Sequence, residues 1–562
     1  MKGKSTSDHV FLLQTIIDKV VKKNKTRLYA VFIDFKKAYD TVNRDLLFKK
    51  LKDLGINGMF LRNITSLYRK TEYCIKLKNG YTRAITSNLG LKQGCPLSPM
   101  LFNLYIDDIK EIFDDRCDPI DLHDIKINHF LYADDLVMLS ESKTGLQRCL
   151  DKANIFSKQK LLTISIKKSK TMVFNQAGRF IRDTFTLEDE KLEPVQSFCY
   201  LGVEIKCSGT VKHALKVIND KGTKALRPLL QTIARFNISA PLSIKLFNTY
   251  ISPILLYNVE NLSQLTDKEL TNFNENFCYA NTSNAKIDIT HRKLLKFALG
   301  VSRSCPNIAL YGDTGEIPIS LKGYRMTLNF WHRVTNFPDT DLSKKALLEN
   351  INIRTNWMKT IEKLINVFNL ADKVGNHNKF RNATKTTSEN GFKSWWKTSI
   401  ENPEISRLCF YRKIKTKFER ETYLNISNFQ HRRIIGKLRC SNHPLEIERG
   451  RHKKRGAGTP RNERLCTICK NGQIEDEEHF LLKCQTYNLL KKEHKIENIT
   501  EINSFFTEEN LDKFGKYLKE AFELREKIKK RGTEPEEGEP GEGERGEGEP
   551  GAEEPEEGPV GH

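Results

Sequence analysis

The sequence predicts an α+β fold, with sheet and helix mixed over roughly the first 210 residues and a helical remainder. Three observations predict it. Short β-branched and aromatic runs alternate with helical stripes before Thr210. Helical periodicity rich in Lys and Arg dominates from there to about residue 440. The 562-residue length calls for about three or four folded units rather than one.

Taken in order, Val10, Leu13, Ile17 and Val20 form a helical stripe within Asp8–Val21. Leu28–Phe35, LYAVFIDF, is short and continuously apolar up to its Asp, the pattern of a strand buried on both faces. A helix is expected from Asp40 or Asn43 to Leu54, stopped at Gly55. A strand pair is expected around Tyr73–Leu77 and Ala84–Leu89. The Gly/Pro turn at Gly94–Pro99 should then open a long helix reaching about Ile112. Phe130–Leu139 reads as strand, tight polar turn, strand. A helix over Leu146–Ser157 and a strand at Thr171–Phe174 follow. Leu511, Phe514, Leu518 and Phe522 mark one more amphipathic helix near the end.

Composition narrows the function. No apolar run approaches the ~18 residues of a membrane span, and no secretory apolar segment follows Met1, so membrane and secreted readings fall behind. Lys and Arg number 93 against 71 Asp and Glu, a net charge of +22. The last 31 residues hold twelve Glu and one Arg, leaving +33 on the preceding 531. So basic a body is expected to meet a polyanion, most often nucleic acid, with a solvated basic surface as the plain alternative. The Glu/Gly/Pro tail over 532–562 cannot bury apolar surface and is expected to be disordered. Most of the thirteen Cys, among them Cys74, Cys149 and Cys199, stand alone among apolar neighbours and read as small core residues; only Cys466, Cys469 and Cys484 cluster.

Two segments place acid where acid is expensive. Asp34 ends an apolar strand, and Asp134 and Asp135 sit at the turn of an apolar hairpin. Carboxylates so placed need partners, and a divalent cation is the usual one. Three of them at one strand edge can hold two Mg²⁺ for in-line phosphoryl displacement. Each segment alone also reads as an ordinary strand end or hairpin turn.

The residues around them decide between these readings. FIDFKKAYD (Phe32–Asp40), GLKQGCPLSPMLFNLYID (Gly90–Asp107) and YADD (Tyr132–Asp135) occur in that order and closely resemble the palm motifs of non-LTR retrotransposon reverse transcriptases. KSTSDHVFLL (Lys4–Leu13) is similar to the segment just upstream of the palm. LTISIKKSK (Leu162–Lys170) is similar to the next motif, and FCYLGVEI (Phe198–Ile205) to the primer-gripping hairpin.

The resemblance implies an RNA-directed DNA polymerase with a right-hand palm, partial fingers and a helical thumb. It implies that Asp34 and Asp134, with the main-chain carbonyl of Phe35, hold Mg²⁺ or Mn²⁺, and that Asp135 completes the acidic cluster. It places Tyr39 under the incoming sugar as a gate against a 2′-hydroxyl, and Gln93 and Gly94 in a turn facing nucleotide and template. Lys168 becomes the candidate general acid for departing pyrophosphate, although one lysine in a basic stretch also reads as surface. Tyr200, Leu201 and Gly202 become the primer grip. Asp40 reads as a helix start rather than a ligand. Ser165 stands where the family usually has Asn, which weakens local hydrogen bonding there. The fingers strands and the endonuclease of many relatives would lie upstream of Met1, so the resemblance describes an N-terminally truncated chain.

Ile244–Leu262 resembles the family's thumb helix and Leu294–Ile319 a post-thumb segment. A basic thumb is expected to track the phosphates of a hybrid duplex. Trp395 and Trp396 could stack bases, but core packing is the better reading. Cys466-x₂-Cys469-x₉-His479-x₄-Cys484 has the spacing of a structural Zn²⁺ site and looks like the family's zinc knuckle, with Cys440 and His443 nearby as competing ligands.

The expected organisation is palm with a fingers remnant over 1–209, thumb over 210–300 and helical connection over 301–440. A zinc-knuckle-like region over 441–490, terminal helices over 491–531 and the tail complete it. The resemblance further implies RNA template, DNA primer or target and deoxynucleoside triphosphates as partners, with no membrane. It leaves the oligomeric state open. It implies nuclear action with a cytoplasmic ribonucleoprotein stage and no secretion, and Lys453–Arg455 is the candidate nuclear signal. The rival reading is a catalytically dead or co-opted nucleic-acid-binding remnant. Kinship with group II intron maturases or telomerases is weaker, because Ile244–Ile319 counts against it.

Overall fold

The computed structural model describes residues 4–274, 285–375, 377–452 and 458–531. The Lys453–Arg455 run and the tail over 532–562 lie outside them. The chain divides into two compact units, Met1–His443 and Pro444–His562.

A five-stranded sheet organises the first unit. Its strands are β1 (Leu28–Ile33), β2 (His129–Tyr132), β3 (Asp135–Ser140), β4 (Lys170–Phe174) and β5 (Glu193–Pro194), in the order β5-β4-β1-β3-β2. β1 runs antiparallel to both neighbours, with Phe32 opposite Val137 on one side and Lys170 on the other. Alternate residues of β1 enter two different cores. Leu28, Ala30 and Phe32 join one apolar cluster, and Val31 and Ile33 join another. Burial on both faces is why this strand reads as a continuous apolar run.

Helices cover the faces. α1 (Thr6–Ile17) starts at a capping box of Ser5 and Asp8 and continues as a π-helical turn over Asp18–Lys23. α2 (Arg44–Asp53) is capped by Asn43, whose side chain accepts from the Leu46 N–H. α3 (Ser98–Ile106) and α4 (Lys143–Gln159) follow, the latter capped by Ser142. Leu47, Phe102 and Leu150 from these three helices pack under Val31 and Ile33. α3 is shorter than expected: it ends at Ile106 and tightens to a 3₁₀ turn over Asp107–Glu111. There Asp108 is drawn to Lys50 and Lys160, a tertiary pairing that periodicity does not register.

Between α2 and α3 a helix over Gly58–Arg69 leads into a two-stranded arm. Thr71–Tyr73 pairs with Ile85–Ser87, and Lys76–Leu77 with Gly80–Tyr81. A hairpin of β6 (Ser197–Tyr200) and β7 (Val203–Lys206) packs on the sheet through Phe198, stacked 4.3 Å from Phe32. Among the described residues of the first unit, everything after Lys206 is helix or connection, beginning with α5 (Val211–Arg235). One apolar cluster runs from Val10 through α5 to Phe392, so the expected palm, thumb and connection segments share a core.

One expectation from local composition changes, for the cysteines, and one holds, the core packing of Trp396. Cys149 is buried, but Cys74 and Cys199 are exposed, because the arm and the β6–β7 hairpin present them to solvent. Trp396 is buried, and its Nε1–H donates to the Ile308 carbonyl at 3.0 Å, which leaves no ring face for a base.

Candidate active site and metal centre

Asp34 follows β1 directly and is fixed by its own backbone. Its N–H donates to Ser169 Oγ at 3.1 Å, and its carbonyl accepts from the Ser165 N–H at 2.7 Å. The Lys36 N–H donates to the Thr163 carbonyl at 2.8 Å, closing a bridge between Phe35 and Ile164 that leaves the Phe35 carbonyl outside it. The Leu162–Lys170 loop therefore braces the first aspartate. The contact at Ser165 is made by its main-chain N–H rather than its side chain.

Asp134 sits at the turn between β2 and β3, where Tyr132 pairs with Asp135. Ala133 takes φ +53°, a left-handed conformation that costs a non-glycine residue about 1–2 kcal/mol. Strain of this kind collects where a side chain must be aimed. Because β1 and β3 are neighbours, Asp34 and the turn share one sheet edge.

The charges register that convergence. Shielding from water, then the nearby charges of Asp134 and Asp34, raise the Asp135 carboxyl above the ordinary range. Burial and then Asp134 raise the Tyr39 phenol, and burial and then Asp135 raise Tyr200. Asp34 Oδ2 accepts no hydrogen bond. Lys168 Nζ stands 3.5 Å from it on a side chain that is 71% exposed, close enough to pair and free to swing.

The second wall is the Gly90–Gly94 turn, zipped to the segment after Asp34. The Gly90 N–H donates to the Val42 carbonyl at 2.8 Å, and the Leu91 N–H to the Tyr39 carbonyl at 2.7 Å. Gly90 is irreplaceable there: φ is +82°, and a Cβ would lie 2.6 Å from the Asp40 carbonyl oxygen. Gln93 Nε2 donates to Asp40 Oδ1 at 3.1 Å. Gly94 also has positive φ, +84°, but open space surrounds it. The Tyr39 ring stacks on Phe102 of α3, with centroids 4.7 Å apart, so it is held rigidly between turn and carboxylates.

Sequence reasoning missed the clamp behind this wall. Arg44 is 6% exposed, and its guanidinium donates to the carbonyls of Gly90, Tyr68, Ser87 and Leu89 at 2.6–2.9 Å. Nothing in the sequence marks it out from the chain's other arginines. Ser169 was missed as well, although it stands inside the Leu162–Lys170 motif.

Of the three residues expected to grip the primer, Tyr200 lies in the core against Phe32 and Phe130, while Leu201 and Gly202 form the hairpin tip with φ of +45° and +81°. Tyr257 holds that tip: its hydroxyl donates to the Leu201 carbonyl at 2.8 Å, and its ring is where a Gly202 Cβ would go.

The family of reverse transcriptases (RNA-dependent DNA polymerases) matches residues 1–205, the stretch that carries the three carboxylates, the Gly90–Gly94 turn and the hairpin tip. Residues 1–205 are a reverse-transcriptase domain. The domain is of the non-LTR retrotransposon type. The Pol polyprotein of a type-1 retrotransposable element R2 from Popillia japonica is 30% identical over 45% of this chain and 35% of its own length. That of the type-2 element R2DM from Drosophila melanogaster is 26% identical over 35% of this chain and 20% of its own. The chain thus spans about a third or less of these relatives. Among solved structures, telomerase from Candida tropicalis with a fragment of telomeric RNA covers 68% of this chain and 52% of its own. Its identity to this chain is 13% and the TM-score 0.27.

Well beyond the reverse-transcriptase domain, the second unit holds a closed ligand set. The ligand atoms of Cys466, Cys469, His479 and Cys484 all lie within 4.8 Å of one another. Cys466 and Cys469 sit on a tight turn, with Lys470 and Gly472 at positive φ, closed by the Leu465–Ile474 bridge. His479 Nδ1 lies 2.9 Å from Gln473 Oε1, which turns Nε2 towards Cys469 Sγ at 3.4 Å. A hydrogen bond shared with Cys484 pulls the Cys466 thiol down to about 4. Buried Arg525 binds Glu475 beneath the turn at 2.6 and 2.9 Å, and Phe480 stacks 5.0 Å from Phe522 on the helix over Leu511–Arg531. Three sulfurs and one imidazole suit Zn²⁺. The set does not include Cys440 or His443, which fall in the first unit, where Cys440 shares a hydrogen bond with Cys305.

Proposed function

We propose that this chain copies an element's RNA into DNA, extending a primer 3′-hydroxyl with deoxynucleotides by nucleotidyl transfer, and that the primer is a nick in the chromosomal target. The observation that carries the reading is the meeting of Asp34, Asp134 and Asp135 at one sheet edge opposite the Gly90–Gly94 turn.

The all-oxygen donor set, with Asp34 Oδ2 lacking a hydrogen bond and Asp135 raised by burial and then by its acidic neighbours, fits a hard divalent cation. Mg²⁺ or Mn²⁺ bound there supplies acidity to the primer hydroxyl and offsets charge developing at the leaving group. Asp34 and Asp134 are the ligands, Asp135 is the weaker third, and the free Phe35 carbonyl is available to join them. Lys168 is placed to deliver a proton to pyrophosphate as it departs. Tyr39, fixed against Phe102, leaves no room for a 2′-hydroxyl, and Gln93 and Gly94 face the nascent pair. The hairpin tip at Leu201–Gly202, braced by Tyr257, bears on the primer. Exposed Lys212, Lys216 and Lys224 on α5 track phosphates by charge. Zn²⁺ on the Cys₃His set holds the second unit's fold. Target priming implies action in the nucleus, after the protein meets its RNA in the cytoplasm.

The test offers the purified chain element RNA with a nicked DNA duplex or with an ordinary annealed primer. Extension from the nick supports the full reading. Extension from the annealed primer alone removes target priming and keeps the polymerase. RNA binding without any extension returns the chain to a binding remnant.

A further inference from the structure

The arm over Lys70–Ile85 has no place in the chemistry above, yet nearly all of its residues are exposed. Beyond Thr71, which is buried at its root, both of its strand pairs are open to solvent on both faces. Tyr73 is 46% exposed and Tyr81 66% exposed. An isolated two-stranded ribbon is marginal in water, so bare rings on one call for a covering partner.

Charge identifies that partner. Lys70, Lys76, Lys78 and Arg83 stand exposed along the arm against a single acid, Glu72, and among the described residues none of the four cations has an ion pair. Lys76 lies directly across the ribbon from Tyr81, so cation and ring share one face. Rings interleaved with unpaired cations suit a single strand of nucleic acid, whose bases stack while its phosphates are neutralised. A protein partner of matching chemistry would have to present acids to every cation and apolar groups to every ring at once.

The arm's root fixes where that strand runs. Arg44 bonds the carbonyls of Tyr68 and Ser87, where the arm leaves the body, and with the same guanidinium the carbonyls of Leu89 and Gly90, where the nucleotide-facing turn begins. A strand lying along the arm therefore arrives at Gly90–Gly94. We propose that the arm over Lys70–Ile85 binds the single-stranded template ahead of the copied base, stacking it on Tyr73 and Tyr81. The assignment of that strand as template rests on the function proposed above.

The test measures equilibrium binding of the full chain to two RNA–DNA hybrids, one blunt and one with a ten-nucleotide single-stranded 5′ RNA overhang. The chains are wild type, Tyr73→Ala/Tyr81→Ala and Lys76→Gln/Lys78→Gln/Arg83→Gln. The tyrosine pair should cost the overhang substrate about tenfold or more in affinity, since each stacked base contributes about 1–3 kcal/mol. The triple variant should lower the salt slope on that substrate by about 2, at roughly 0.7 per cation on a single strand. Blunt-hybrid binding should stay within about twofold of wild type. Because binding is read without synthesis, an inactive chain that keeps this overhang preference retains the arm and loses only the polymerase. Equal losses on both substrates, no loss on either, or a change confined to self-association would each overturn the proposal.

Discussion

Gly90→Ala and Gly94→Ala make a matched pair, because the two glycines share a conformation and differ only in surroundings. Both hold φ near +83°, so alanine at either carries the same left-handed penalty of about 1–2 kcal/mol. At Gly94 nothing lies within 4 Å of the new methyl, and the penalty ends there. At Gly90 the methyl would lie 2.6 Å from the Asp40 carbonyl oxygen, about 0.8 Å inside the 3.4 Å of ordinary contact. Every neighbour it meets is backbone of the Asp40 residue, and neither strand of the zip can yield without breaking the Gly90–Val42 or Leu91–Tyr39 bond. The turn must therefore move by most of an ångström relative to Tyr39 and the carboxylates. Misplacement of about 1 Å in a site of this kind costs on the order of a hundredfold in rate. Single-nucleotide extension kinetics on a primed RNA template should show Gly90→Ala down about a hundredfold in kcat/KM, and Gly94→Ala within about tenfold. Equal losses in the two variants would refute the idea that the zip positions the site.

Other expectations follow from the same structure. Tyr39→Ala should open the sugar gate, raising ribonucleotide incorporation relative to deoxynucleotide by on the order of 10²-fold, while Tyr39→Phe leaves it shut; competition assays read the ratio. Removing metal with a chelator, or Cys466→Ser, should erase the unfolding transition of the second unit in calorimetry of the full chain, since structural Zn²⁺ sites contribute about 10 kcal/mol or more. Acid should destabilise the first unit: burial lowers His9 and His129 to about 4 and His291 to about 3. Below about pH 6.5 the unfolded chain takes up protons that the folded chain refuses, so stability falls as pH drops towards 4, by up to about 1.4 kcal/mol per pH unit for each histidine. His291, stacked on Phe247 with neither ring nitrogen hydrogen-bonded, is the cleanest probe, and His291→Phe should move the acid-unfolding midpoint to lower pH; an unmoved midpoint would contradict this.

How legible the molecule is from its sequence depends on how local the cause is. β1 and the β2–β3 hairpin are legible because acid at the end of a buried apolar run is costly, and so is seldom idle. The body of α4 is legible over Leu146–Ser157, while its first turn from Lys143, which the Ser142 cap sets, is not. The Cys₃His set is legible from spacing alone. Early termination of α3 is not, because Asp108 answers to Lys50 and Lys160, distant in sequence. Exposure of Cys74 and Cys199 is not, because apolar neighbours on a solvated ribbon look like those in a core. Arg44 is the sharpest case: its four carbonyl partners are main-chain atoms, which carry no residue identity to read.

The most direct test of the central claim is extension of a DNA primer annealed to RNA, in Mg²⁺ and deoxynucleotides, by the wild-type chain beside Asp134→Ala. Wild type should yield product complementary to the RNA, and the variant at least about a thousandfold less, the scale on which removal of essential catalytic groups acts. Comparable synthesis by both chains would contradict that claim.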